Sequence, residues 1–329
     1  MAENCRSAWK RSEIPGKAVR FLIENEIEFH FQLGYKSISL SIIMKLHKSL
    51  LSTACLFLFA CATSLSVHAQ EYFVTYSHQM EEPGDLEIST RNVIGFPGEG
   101  HSFIGSELEF EYGVKTWWTS EFYLNGQSTA SESTVFTGYK WENRFRPFLR
   151  EHWINPVLYF EFANVNGADK TFKEIVGHDG TEDSLERNSR AEKKREAELK
   201  LILSSNFKGW NISENIIAEK NLTNEPWEFG YALAVSRPLS MTASPNVCVF
   251  CRENFSAGAE MYGGLGDRYS FGLKGTSHYF APIVSFRAPG SATFKVSPAI
   301  GLNDHSHGAL LRFGVSYEID QIFTKLRGR

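Results

Sequence analysis

From Asp85 onward the chain is a succession of extended segments whose side chains alternate between apolar and polar. The clearest reads ALLRFGVSYEI, Ala309 to Ile319. Leu311, Phe313, Val315, Tyr317 and Ile319 share one side, and Leu310, Arg312, Gly314, Ser316 and Glu318 share the other. A period of two is that of a β-strand with one greasy and one wet face. The pattern recurs in Glu107–Val114, Glu196–Ser204 and Trp227–Ser236. It is weaker in 85–94, 117–126, 134–141, 157–164, 210–219, 255–264, 279–286 and 294–301. The expectation is about twelve strands, bracketed by ten and fourteen, each near the roughly 9–11 residues that a tilted transmembrane strand needs.

Alternation alone also suits a soluble β-sandwich, where the apolar face meets a second sheet. Two features favour lipid. The polar faces carry Glu107, Glu109, Glu111, Glu121, Glu196, Glu198, Glu228 and Glu260, mixed with Lys140 and Lys200. Such rows suit a hydrated lumen in which opposite charges can pair across the bore. Aromatics also gather at segment ends (Trp117, Trp118, Trp141, Trp153, Trp210, Trp227 and Tyr262), where interfacial girdles form. Closure satisfies every backbone donor in hydrocarbon. The reading is an all-β, antiparallel transmembrane β-barrel spanning 85–319, with a tail at 320–329. Composition agrees: 26 Phe, 12 Tyr and 7 Trp in 329 residues are a β-rich signature. The net charge of -4 lacks the basic footprint of a nucleic-acid binder.

The segment MKLHKSLLSTACLFLFACATSLSVHAQ has a basic start (Lys45, Lys48), an apolar centre and the small-residue end Val67-His68-Ala69. This is the build of a signal peptide over 44–69, cut between Ala69 and Gln70. Residues 1–43 then read as an extension from an upstream start codon, and 70–84 as a periplasmic segment leading into the barrel. After the cut only Cys248 and Cys251 remain. In an exported chain a close pair reads as a loop disulfide rather than a metal site. The longest connection, 166–195, is rich in charge and falls on the side expected to face outward.

The last third resembles a broad group of bacterial outer-membrane barrels that includes transporters grouped beside the phenol-degradation MetA family. The residues that carry the likeness are FSAGAEMYGGLGD (Phe255–Asp267), HYFAPIVSF (His278–Phe286) and AIGLNDHSHGALLRFGVSYEI (Ala299–Ile319). The resemblance implies an outer-membrane barrel and names no substrate.

The loop NDHSHG, 303–308, is the densest group of catalytic residue types. His305, Ser306 and His307 are consecutive, whereas a hydrolytic triad converges from separate elements, so the loop reads as a polar hairpin. GGLGD (Gly263–Asp267) lacks the Lys-Ser/Thr of a phosphate loop. The expectation is therefore a passive channel or transporter for small solutes, without cofactor, metal or catalytic residues. Its partners are outer-membrane lipid and the outer-membrane assembly machinery. The alternatives are a structural or surface-binding barrel with a filled lumen and a lipid hydrolase at the rim.

Overall fold

The structure is a computed structural model that describes residues 72–96, 101–171, 176–178, 189–223, 225–242 and 248–327. The expected extension, 1–43, and signal peptide, 44–69, lie outside the described residues, as does part of the charged connection.

Twelve antiparallel strands form a closed barrel in which each pairs with its sequence neighbours and β1 closes on β12. They are β1 (Leu86–Phe96), β2 (Phe103–Lys115), β3 (Trp118–Thr129), β4 (Thr134–Phe145), β5 (Asn155–Asn166) and β6 (Lys193–Phe207). The remainder are β7 (Trp210–Asn221), β8 (Trp227–Pro238), β9 (Phe255–Asp267), β10 (His278–Ala288), β11 (Ala292–Gly301) and β12 (Ala309–Ile319). A short helix, α1 (Ile322–Arg327), follows. The seam between first and last strands runs in register from Leu86↔Ile319 to Phe96↔Ala309, so neither edge is left open.

Burial follows the alternation. On β12, Phe313 and Tyr317 are 38% and 51% exposed, while Arg312 and Ser316, each just before one of them, are 3% and 5% exposed. Leu124, Leu158, Leu201, Ile216, Val284 and Val296 also face outward. A closed sheet with this exterior is a transmembrane β-barrel: the outer band meets hydrocarbon and the ladder satisfies its own backbone.

One rim carries the tight turns. Lys208 and Gly209 join β6 to β7 with both φ values positive (49° and 82°), the two-residue turn whose twist matches flanking strands. Thr116–Trp117 and 289–291 are the other short connections at this rim, and 146–154 and 239–254 are longer. Within 239–254, Cys248 and Cys251 form a disulfide. The opposite rim carries 167–192 and 268–277. Aromatic contacts ring the tight-turn rim: Trp117, Trp118 and Phe145; Trp153 and Phe207; Phe250, Phe255 and Phe286; and Tyr112 and Phe323. Two of the expected girdle residues sit elsewhere. Trp141 points outward from within β4, and Tyr262 points inward, fully buried and stacked on Tyr279 with centroids 5.4 Å apart. Tyr262 shares its face with Glu260, so strand parity turns it into the bore.

The segment leading into β1 was expected outside the barrel, in the periplasm. Its described part instead runs inside the barrel wall: Tyr72 to Ser77 are all buried. Two inward glycines on β2 make room for main chain at either end of the bore. A Cβ on Gly113 would lie 2.0 Å from the Glu82 carbonyl oxygen, and one on Gly105 would lie 2.8 Å from that of Lys170. Any side chain at either position would displace the segment or the loop that crosses there.

Candidate functional site: the occupied bore

The leading segment is held by side chains that would otherwise line an open channel. Three successive amides, of Phe73, Val74 and Thr75, donate to the same Glu260 Oε1 at 3.1, 3.0 and 3.0 Å. Successive N–H groups turned on one anion form the concave nest by which backbone binds carboxylates. Asn215 then reads the main chain of Tyr76 on both sides. Its Oδ1 accepts the Tyr76 amide at 2.6 Å and its Nδ2 donates to the Tyr76 carbonyl at 2.9 Å. The Tyr72 hydroxyl donates to Asn211 Oδ1 at 2.8 Å, and Arg144 Nη1 donates to the Gln79 carbonyl at 3.2 Å. His78 lies 2.8 Å from the Ser204 hydroxyl and 3.1 Å from Glu151 at the tight-turn rim. Burial holds its imidazole below the usual histidine range, against the opposite pull of Glu151.

Beneath the segment, strands β1 to β6 present a dense ionic wall. The Arg144 guanidinium reaches Glu111 and Glu121, with Glu142 3.5 Å away. Arg91 pairs with Glu109 at 2.8 Å, and the Ser89 hydroxyl donates to the same carboxylate at 2.5 Å. The Tyr123 hydroxyl sits among Glu109, Glu121 and Glu142. Lys200 pairs with Glu198 at 3.0 Å and stands 4.0 and 4.6 Å from the ring centroids of Tyr159 and Tyr76. Lys140 lies 3.7 Å from Glu161. Tyr76 completes the join: its hydroxyl donates to Glu142 at 2.8 Å and its ring meets Tyr159 edge-on. Buried charges at this density persist only when paired and hydrogen-bonded.

Strands β8 to β12 present a different wall. Ala232, Ala234, Tyr262, Tyr279, Ala281, Ile283, Ala299 and Leu310 are buried on their inner face and pack with Tyr72, Phe73 and Val74. Arg312 lies 4.9 Å from the Tyr262 ring centroid. A narrow cavity remains beside the segment, bounded by Phe73, Arg91, Asn92, Val93, Glu107 and Arg312.

The ten lumen-lining residues named from sequence take three positions. Glu109, Glu111, Glu121, Lys140, Glu198 and Lys200 belong to the ionic wall. Glu260 receives the leading segment and Glu107 borders the cavity. Glu196 and Glu228 are half-buried; Glu228 approaches the main chain of Gly177, where an added Cβ would lie 2.2 Å from its Oε1. Sequence reading missed Arg91, Arg144, Glu142, Tyr76, Tyr123, Tyr159 and Asn215. The parity of β4 contained a signal for two of them, since Lys140, Glu142 and Arg144 share one face. Among the described residues, Glu109, Glu111 and Glu121 could by spacing hold a metal ion, but Arg144, on Glu111 and Glu121, and Arg91, on Glu109, already supply their positive charge.

The 303–308 loop is built for structure. The Ser306 hydroxyl accepts the His278 amide at 2.8 Å and lies 2.9 Å from the His278 carbonyl and 2.7 Å from Asn303 Oδ1. The His305 carbonyl accepts the Ser277 hydroxyl, and the His307 amide donates to the Tyr279 hydroxyl.

No protein-family model matches the sequence, and no curated protein matches it. Among solved structures the chain is similar to the COG4313 outer membrane channel from Pseudomonas putida F1, with a TM-score of 0.51 and 8% identity over 77% of this chain and 100% of that one. It also matches the NanC porin (TM-score 0.44, 10% identity, 70% and 100% coverage) and the KdgM porin (TM-score 0.42, 9% identity, 70% and 98% coverage). At such identity, the likeness to the Pseudomonas putida channel establishes a shared barrel fold.

Proposed function

We propose that this chain is an outer-membrane channel for small solutes whose bore is closed at rest by its own leading segment. The observation that carries the reading is the division of labour in the lumen. The strands supply a lining of charges and small residues, and the filling comes from Tyr72–Glu81, a segment outside the ladder. A barrel meant to be solid can fill itself with strand side chains. Here the filling is a separate piece, held by side-chain contacts to Glu260, Asn215, Asn211 and Glu142. Export by residues 44–69, lipid contact along the outer band, insertion by the outer-membrane assembly machinery and kinship with the MetA-pathway-like transporters belong to the same reading. The tight-turn rim then faces the periplasm. Cleavage after Ala69 would make the segment a free N-terminus.

Planar-bilayer recording tests it. The full-length mature barrel should conduct rarely, and a variant lacking residues 72–81 should conduct steadily, with cations favoured over anions by the acidic lining. Glu260→Ala should fall between them. If the deletion variant folds, as judged by its gel shift on heating, and stays silent, the bore is a structural filling. The alternative of a filled, structural barrel then replaces the channel.

A further inference from the structure

At the rim opposite the tight turns, strands β6 to β9 sort charge by face. On β6, Glu196 and Glu198 fall on the bore face, while Lys193 and Arg195 share the outward face of Leu199 and Leu201. On β7, Glu219 falls on the bore face and Lys220 on the outward face, in line with Ala218 and Ile216. Lys220 stands directly opposite Trp227 of β8. The pairing of Glu228 with Asp267, continued by one step, sets Arg268 opposite Trp227, and the Arg268 amide donates to the Trp227 carbonyl at 2.9 Å. Arg195, Lys220, Trp227 and Arg268 therefore make an outward row across four neighbouring strands. Three strand spacings give it a length of roughly 14 Å.

The protein itself does not neutralise this row. Among the described residues, Arg195, Lys220 and Arg268 form no ion pair with a carboxylate. Lys220 donates to the Glu225 carbonyl, and Arg268 donates to the Tyr269 hydroxyl and stands 4.4 Å from that ring's centroid. Asp267, beside Arg268, turns its Oδ1 to the amides of Tyr269 and Ser270 at 2.6 and 2.8 Å.

One step toward the membrane centre, Ala218 lies between its register partners Leu199 and Phe229. Leu199 is 48% exposed. Phe271, from the connection after β9, meets Phe229 edge-on with centroids 5.6 Å apart. A small side chain between large ones leaves a shallow trough, walled by Leu199 on one side and by Phe229 and Phe271 on the other. The trough is continuous with the lipid-facing band below and ends at the cations above. An extended acyl chain would fill it by van der Waals contact.

We propose that this row and trough bind a glycolipid carrying two phosphates, with the phosphates on Arg195, Lys220 and Arg268 and an acyl chain over Ala218. A single phosphodiester is too short to meet both ends of the row, whereas a disaccharide phosphorylated at each end can. The guanidinium groups at the two ends offer paired donors to phosphate oxygens. Trp227 between them has the amphipathic ring that suits the boundary of sugar and acyl chain. The inference rests on the orientation proposed above, with the tight turns toward the periplasm, and is independent of whether the bore conducts.

The test is native mass spectrometry of the mature barrel in detergent, titrated with diphosphoryl lipid A in competition with phosphatidylglycerol. Micelles present the site whichever way a barrel inserts, so failure here is distinct from failure of the channel reading. One lipid A should bind in preference to phosphatidylglycerol, and removing both phosphates should abolish the preference. The triple variant Arg195→Gln, Lys220→Gln, Arg268→Gln should weaken binding at least about tenfold, because each cation facing an anionic lipid strengthens the attraction severalfold. Ala218→Phe, which fills the trough and leaves every charge in place, should weaken it severalfold. Equal binding of phosphatidylglycerol or of the dephosphorylated lipid overturns the assignment. So does parental binding by the triple variant, folded as judged by its gel shift on heating. If that variant does not fold, parental binding by Ala218→Phe overturns it.

Discussion

The two walls of the bore face the same segment and hold it by different physics. On β1 to β6 the inward residues are long and charged, and Arg144, Arg91, Lys140 and Lys200 knit the glutamates together. On β8 to β12 they are mostly small or apolar with two tyrosines, packed on Tyr72, Phe73 and Val74, and a single carboxylate, Glu260, takes the three successive amides. The outer faces of both halves are alike, because lipid asks the same of each. The inner faces diverge because one wall must neutralise a dense set of charges before anything can lie on it, whereas the other supplies volume around one anchoring carboxylate, Glu260. Removing a partner should therefore hurt the first wall most, and adding bulk should hurt the second.

The largest effect is expected at Arg144, which is buried at 2% side-chain exposure amid three glutamates. Arg144→Ala strands those carboxylates and should cost about 3–5 kcal/mol, read as a lowered urea midpoint in detergent. Arg144→Ala folding with the parental midpoint would show that the ionic wall is not a stability element. Next comes bulk on the opposite wall. A Cβ on Gly314 would lie 2.9 Å from the Thr90 carbonyl oxygen and 3.3 Å from the Phe73 ring. Gly314→Val should cost roughly 1–3 kcal/mol by overpacking and expose the leading segment to protease while the barrel stays intact. If the segment stays protected, the small-residue wall does not grip it by fit.

The smallest effect is a pH dependence at the rim between the walls. His78 is held below its usual value of 6.5 by burial. A group whose folded-state value is depressed contributes stability that is full above the unfolded value and lost as pH falls through the folded one. Docking of the segment should therefore weaken as pH drops below about 6.5, seen as faster proteolysis of residues 72–81. His78→Ala should flatten that acid limb. An unchanged limb would move the titration to another group.

The outer half of this design was legible before the structure. Each of the twelve strands announces itself by period two, and the closed antiparallel barrel follows from lipid-facing rows such as Leu311, Phe313 and Val315. Strand ends were less legible. β2 begins at Phe103 rather than Glu107 because Gly105, required by the loop above it, breaks the pattern. β4 runs on through Glu142 and Arg144 because the run WENRF, polar and thus loop-like in sequence, is held by ion pairs within the bore. The occupant of the lumen was not legible at all. Its contacts join Phe73 to Glu260 and Tyr76 to Asn215 across 187 and 139 positions, and no local periodicity encodes a partner so remote. Tyr262 shows the limit of composition: an aromatic near a strand end reads as a girdle residue until parity assigns its face.

The leading segment remains covalently joined to β1 through Asp85. From Asp85 back to Tyr72 the tether can span at most ~45 Å when fully extended, at about 3.3–3.6 Å per residue. A segment that leaves the bore therefore stays in its neighbourhood, at an effective concentration in the millimolar range. Its return is a first-order event, indifferent to how many copies the membrane holds. On the proposed reading each barrel would carry its own stopper, and its open time would be set within a single molecule.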